Sequence, residues 1–158
     1  MMTKEIAMLL AVDAAKRSPC AKSKRGVVIW CPINSMFAIG FNHPPDGFRC
    51  DDSDACREHC NKLCLHAEQE ALMAARGRSV FRSSPRVLHL LHVKVDADGN
   101  AVPSGPPSCW QCSRLIVDCL HIDTVWLLED EGLRSYTPHE FHVRTLEYCQ
   151  LPVFKDPP

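Results

Sequence analysis

The sequence predicts a layered α/β fold, and three observations carry that expectation. Segments of helical and of strand periodicity alternate along the chain. Hydrophobic residues make up 46% and charged residues 23% of 158 residues, as in an ordinary globular protein with one buried core. The apolar runs are short, such as Val27–Trp30 and Val125–Leu128, so none is long enough to span a bilayer. One domain over residues 1–158 is the expected organisation, with no internal repeat or low-complexity linker.

The elements follow in order. Residues 3–17 read as a helix, with Thr3 as N-cap and Ile6, Leu9 and Leu10 near helical spacing. Val27–Cys31 and Met36–Phe41 read as strands joined by a Pro-Ile-Asn-Ser turn. Residues 42–55 carry Pro, Gly and Asp and form a loop. A helix is expected from about Cys56 to Arg76, closed by Gly77 as its C′ residue. Val87–Val95 is a strand and Asp96–Asn100 a turn. After the Pro/Gly-rich stretch 103–107, Cys109–Leu120 is a helix, Thr124–Leu128 a strand, and Pro138–Tyr148 a helix with Pro in its first turn.

Charge narrows the function classes. Eighteen basic side chains face nineteen acidic ones, so the basic excess that phosphate neutralisation demands of a nucleic-acid binder is missing. Lys4, Glu5 and Asp13 interrupt the apolar residues near the N-terminus, unlike a secretory signal, and a cytoplasmic location is expected. A small-molecule ligand fits this balance better than a polynucleotide or a membrane.

Ten cysteines in a reducing compartment call for metal chemistry more than for disulfides. Catalytic zinc takes three N or S ligands and keeps one position open. His66 stands before one apolar-periodic segment, and Cys109 and Cys112 open another, where a helix N-terminus favours the thiolate that zinc binds. Glu68, two residues beyond His66, can face water at the open position without being a ligand, and can carry its proton. His-x-Glu followed by Pro-Cys-x-x-Cys is the pattern of zinc deaminases.

The stretches LCLHAEQEAL at 63–72 and PPSCWQCSRLI at 106–116 resemble the cytidine/deoxycytidylate deaminase superfamily. The loop GFNHPPDGF at 40–48 resembles that of deoxycytidylate deaminases, and Lys24–Val28 their first strand. The resemblance implies a three-layer α/β/α sandwich with a central mixed sheet of about five strands, and a homo-oligomer. It implies zinc held by His66, Cys109 and Cys112, with Glu68 carrying the water proton to N3 of cytosine and then to the leaving ammonia. The implied substrate is dCMP, with Asn42 on the sugar, Lys24 or Arg25 on the phosphate, and Ala67, Ser108 and Trp110 near the base. Some phage members carry a second, structural zinc, and Cys20, Cys50 and Cys64 occupy the corresponding places, with Cys60, Cys56 or His59 as fourth ligand. Three positions depart from the pattern: Ser108 precedes the first zinc cysteine where Pro is usual, Glu70 stands for Asn, and His43 for Gly. Other substrates of the same chemistry (a nucleoside, a modified cytosine nucleotide, another nucleobase, a polynucleotide) stay open, as does a non-enzymatic zinc-stabilised module.

Overall fold

The computed structural model describes residues 1–77, 87–119 and 121–153. Among them the chain forms, in order, α1 (Lys4–Lys16), β1 (Lys24–Trp30), β2 (Phe37–Phe41), α2 (Asp54–Leu63), α3 (Ala67–Arg76), β3 (Leu88–Val95), β4 (Ala101–Val102), α4 (Trp110–Cys119), β5 (Ile122–Glu129), β6 (Gly132–Tyr136) and α5 (Pro138–Tyr148). The sheet has six strands, one more than expected, with the path β2-β1-β3-β5-β6 and β4 paired to β3. Only β3 and β5 run parallel; every other pairing is antiparallel.

Side-chain alternation assigns the two faces. Val28, Trp30, Leu91 and Val93 pack with Ala7 and Ala11 of α1. On the opposite face Val27, Ile29, Leu90, Val125 and Leu127 pack with Ala67, Ala71 and Ala75 of α3, Ile116 of α4 and Phe141 of α5. The expected α/β/α layering follows. Each fully buried Ile or Leu in these faces contributes about 1.5–3 kcal/mol relative to exposure.

Small residues set how closely the helices approach. A Cβ on Gly26 would lie 2.1 Å from the Ala11 carbonyl oxygen on one face, and a Cβ on Gly40 2.3 Å from the Ala67 carbonyl oxygen on the other. The alanines at 67, 71 and 75 complete a smooth face that seats α3 against β2 and β1.

Four features differ from expectation, the shortest being β4, whose two residues the sequence left unassigned. The helix predicted from Cys56 to Arg76 is two helices, because Cys64 is extended at φ −83° and ψ 147° and Leu65 exchanges two backbone hydrogen bonds with His43. Helical periodicity runs through the break, since a three-residue interruption barely shifts the apolar face. Gly77 ends α3 in the right-handed region at φ −66°, not in the left-handed C′ conformation expected of it. Strand β6 was absent from the prediction because its hairpin turns through Asp130-Glu131 instead of an Asn-Gly type pair, with Gly132 at φ 112°. Leu120, the predicted end of α4, lies outside the described residues. No helix among the described residues is long and apolar enough to cross a membrane.

These contacts set an expected contrast. Gly40→Ala forces a methyl onto the α3 backbone and should cost about 1–3 kcal/mol or more. Gly77→Ala meets nothing nearer than 3.6 Å at an ordinary φ and should be neutral or mildly stabilising, by about 0.5 kcal/mol. Urea unfolding of both variants measures the difference.

Candidate active site

Helices α3 and α4 begin side by side, and each starts on a residue of the site. His66 is the N-cap of α3, extended at φ −85° and ψ 153°, and its backbone N–H donates to Gln69 Oε1 at 3.0 Å. Cys109 holds the equivalent place before α4: its carbonyl accepts from Ser113 N, and its Sγ accepts from Cys112 N at 3.3 Å. Sulfur thus satisfies a helix-start N–H that would otherwise lack a partner.

The imidazole Nδ1 of His66 lies 3.2 Å from Cys109 Sγ and 3.3 Å from Cys112 Sγ. All three ligand atoms fall within 4.8 Å of one another, a separation at which one ion can meet them. A tetrahedral zinc with bonds of about 2.0–2.3 Å spans such a set, and one nitrogen with two sulfurs matches its preference. The donors fit the metal. Hydrogen bonding with Cys112 leads the fall of the Cys109 pKa to about 5, which His66 assists against burial. Its partner thiol, Cys112, is pushed up by the same bond and by burial. The hydrogen bond to Cys109 raises His66.

Glu68, in the first turn of α3, is only 4% exposed. Burial works to raise its carboxyl, but His92, the Ser108 hydroxyl and His66 outweigh it, and its pKa lies below the usual carboxylate value. The Ser108 hydroxyl donates to Glu68 Oε1 at 2.7 Å. A cavity of about 400 Å³ opens over this group, lined by His66, Ala67, Glu68, Ser108 and Cys109 and extending past Asn42, Arg25, Ser23 and Lys22. That volume lies in the range of small-ligand sites.

The other expected residues divide. Asn42 lines the cavity, yet its amide is committed to the chain: Oδ1 accepts from Arg25 N at 2.7 Å and Nδ2 donates to Ser23 O at 2.7 Å. One N–H and one lone pair are left for a ligand. Arg25 faces the cavity, its guanidinium spread between Ser23 Oγ and Ser104 O. Lys24 lies one residue out of phase, on the α1 face with Gly26 and Val28, and Lys22 is the lysine at the cavity. Trp110 is 41% exposed and carries Arg114 over its ring instead of lining the cavity. His43 and Glu70, two of the departures noted in the sequence, meet each other, Nε2 to Oε1 at 3.6 Å. Glu70 also accepts from Phe41 N, so the pair ties the 40–48 loop to α3.

The upstream cysteines gather, though less tightly. Cys20 Sγ lies 3.8 Å from Cys60 Sγ, and Cys50 Sγ 3.6 Å from Cys56 Sγ. Cys20, Cys60 and Cys64 line the same cavity as the His66 group, while His59 is exposed. Burial first, and Cys20 next, push Cys60 up to about 12. The Ala21 N–H, donating to its sulfur, lowers Cys50.

Besides Lys22, a buried residue of the site was missed in the sequence. His92, 1% exposed on β3, lines the cavity beside Glu68 and Arg25. Its Nε2 faces Arg25 Nη1 at 3.5 Å; a guanidinium only donates, so Nε2 accepts and the hydrogen sits on Nδ1, which has no partner. The signal was present in LHLLHVKV, where His92 shares the inward phase of Leu88 and Leu90.

No protein-family model matches the chain. The deoxycytidylate deaminase of Schizosaccharomyces pombe is 37% identical over 78 residues, covering 43% of this chain and 24% of that protein, so the chain spans about a quarter of its relative's length. The crystal structure of the dCMP deaminase of cyanophage S-TIM5 in complex with dCMP and dUMP superposes with TM-score 0.58 at 25% identity, covering 79% of this chain and 82% of that one. Its apo form gives 0.54 at the same identity. The cytidine deaminase of Burkholderia pseudomallei, 16% identical, shares the fold with TM-score 0.54 over 89% of this chain and 96% of its own.

Burial pushes His92 down to about 4, against the pull of Glu68. An unfolded histidine titrates near 6.5, so between these values the unfolded chain binds the extra proton and stability rises with pH. The contribution is complete above about pH 6.5 and is lost on acidification towards pH 4. Metal-free protein should lose on the order of 2 kcal/mol more between pH 7.5 and 5 than its His92→Gln variant, read by urea unfolding at both pH values.

Proposed function

We propose that this chain, which belongs to the cytidine/deoxycytidylate deaminase superfamily close to the dCMP deaminases, hydrolyses the 4-amino group of a cytosine nucleotide, dCMP being the favoured substrate. The observation that carries the reading is the meeting of His66, Cys109 and Cys112 in one cavity with the buried carboxylate of Glu68. A purely structural metal site gains nothing from a buried acid that does not ligate.

A zinc ion held by His66 Nδ1 and the two thiolates would supply the Lewis acidity that makes water a nucleophile at neutral pH. The protein does the rest. Glu68 takes a proton from the attacking water, passes it to N3 of the base, and later carries the remaining hydroxyl proton to the departing amino group, so that the uracil nucleotide and ammonia leave. Burial keeps that carboxylate from exchanging its proton with bulk water. Asn42, with one N–H and one lone pair unused, contacts the sugar. Lys22 and Arg25 place positive charge at the cavity, which supports a nucleotide phosphate over a neutral nucleoside. Lys22 takes the place first given to Lys24.

The thiols of Cys20, Cys50, Cys60 and Cys64, with Cys56 as the alternative ligand, form a second, structural zinc site in this reading. Its role is to pin the loop between β2 and α2, which has few apolar residues to order it. Two close thiol pairs, Cys20 with Cys60 and Cys50 with Cys56, support it, with Cys20, Cys60 and Cys64 at the cavity.

Glu68→Ala should keep the fold and the metal while losing roughly a thousandfold or more in turnover. Ammonia release from dCMP, CMP, deoxycytidine, cytidine and single-stranded DNA, run beside that variant, checks both role and substrate. Activity confined to DNA, or undiminished in the variant, would overturn the reading. Metal analysis of purified protein should find about two zinc per chain; about one, with Cys50 and Cys60 reactive to thiol reagents, would remove the second site.

A further inference from the structure

The residue just ahead of the zinc-ligand cysteines makes a contact that the deaminase mechanism above leaves unused. Ser108 follows Pro106 and Pro107 and immediately precedes Cys109. Its hydroxyl donates to Glu68 Oε1 at 2.7 Å and also lies within hydrogen-bonding reach of the Cys112 sulfur. This bond joins two separate elements, since Glu68 rides on α3 and Ser108 on the segment that leads into α4.

We propose that Ser108 is a positioning residue for Glu68, an inference that rests on the deaminase reading of the site. A carboxylate that must shuttle protons between water, a ring nitrogen and a leaving amine works best in one rotamer. Glu has three side-chain torsions, and Glu68 borders a cavity that it lines together with Ala67, His92 and Ser108. The Ser108 hydroxyl removes that freedom by holding Oε1. Proton traffic is thereby assigned to Oε2, while the short, charge-assisted bond keeps the carboxylate in register with the Cys109–Cys112 turn. Proline at this position would supply no hydrogen, so the chain has a means of orienting its acid that depends on serine. The two prolines before it restrict the backbone that aims the hydroxyl.

Activity and folding give separate tests. Ser108→Ala should lower kcat about tenfold, with KM within about twofold of the parent and metal content unchanged. Ser108→Thr, which keeps the hydroxyl, should restore most of the loss. An unchanged kcat, a rise in KM alone, or a loss that threonine does not rescue would overturn the role. The second readout needs no turnover: melting of metal-free protein in a double-mutant cycle of Ser108→Ala and Glu68→Ala. Ser108→Ala should lower the melting temperature by about 2–4 °C when Glu68 is present and by much less when it is absent. Additive shifts would overturn the bond itself. The cycle gives its answer even for a chain that deaminates no cytosine nucleotide, so it separates failure of this proposal from failure of the functional reading.

Discussion

Everything at the site depends on how closely α3 lies against β2. A side chain at Gly40 would come within 2.3 Å of the Ala67 carbonyl oxygen and 2.4 Å of the Ala71 nitrogen, so the helix rests on strand backbone with nothing between. That contact places three consecutive residues at once. His66 caps the helix, Ala67 seals it against the sheet, and Glu68 is buried at the cavity wall. A helix set further out by even one methyl group would carry His66 away from thiols it meets at 3.2 and 3.3 Å. Interiors packed at crystal-like density transmit such shifts instead of absorbing them.

The second helix is tied to the first by polar bonds. Cys109 uses its sulfur to cap α4, the same sulfur faces His66, and the neighbouring hydroxyl of Ser108 reaches Glu68. A candidate metal ligand, a helix cap and the hydrogen-bond partner of the buried carboxylate therefore share one short segment. Hydrogen bonding with Cys112, assisted by His66, explains why the thiol at Cys109 deprotonates easily, while the same bond and burial hold the proton on Cys112. The pair His43 and Glu70 shows the same economy: two positions that depart from the resembled pattern contact each other and brace the 40–48 loop.

Periodicity made α1, β1, β2, β3, β5 and α5 legible, because each presents one clear apolar face or alternates about a buried centre. Residues with unusual chemistry at fixed spacing made the grouping of His66, Cys109 and Cys112 beside Glu68 legible. Elements set by a long-range partner were harder to read. Leu65 breaks the α2–α3 segment by pairing with His43, more than twenty residues upstream, and nothing local announces that pairing. Strand β6 pairs through a turn with no glycine-led signal at its centre.

What the sequence by itself determined is the chemistry available: an imidazole, two thiols and a carboxylate at spacings that suit two helix starts. Tertiary structure decided which side chains share the cavity. Arg25 enters it and Lys24 does not, because neighbouring strand residues point to opposite faces once the register with β2 and β3 is set. His92 joins Glu68 only because β3 is central and its inward phase runs past the apolar core into the site. Spacing along a chain is a local quantity; adjacency across a sheet is not, and the remainder of the site was written in the second.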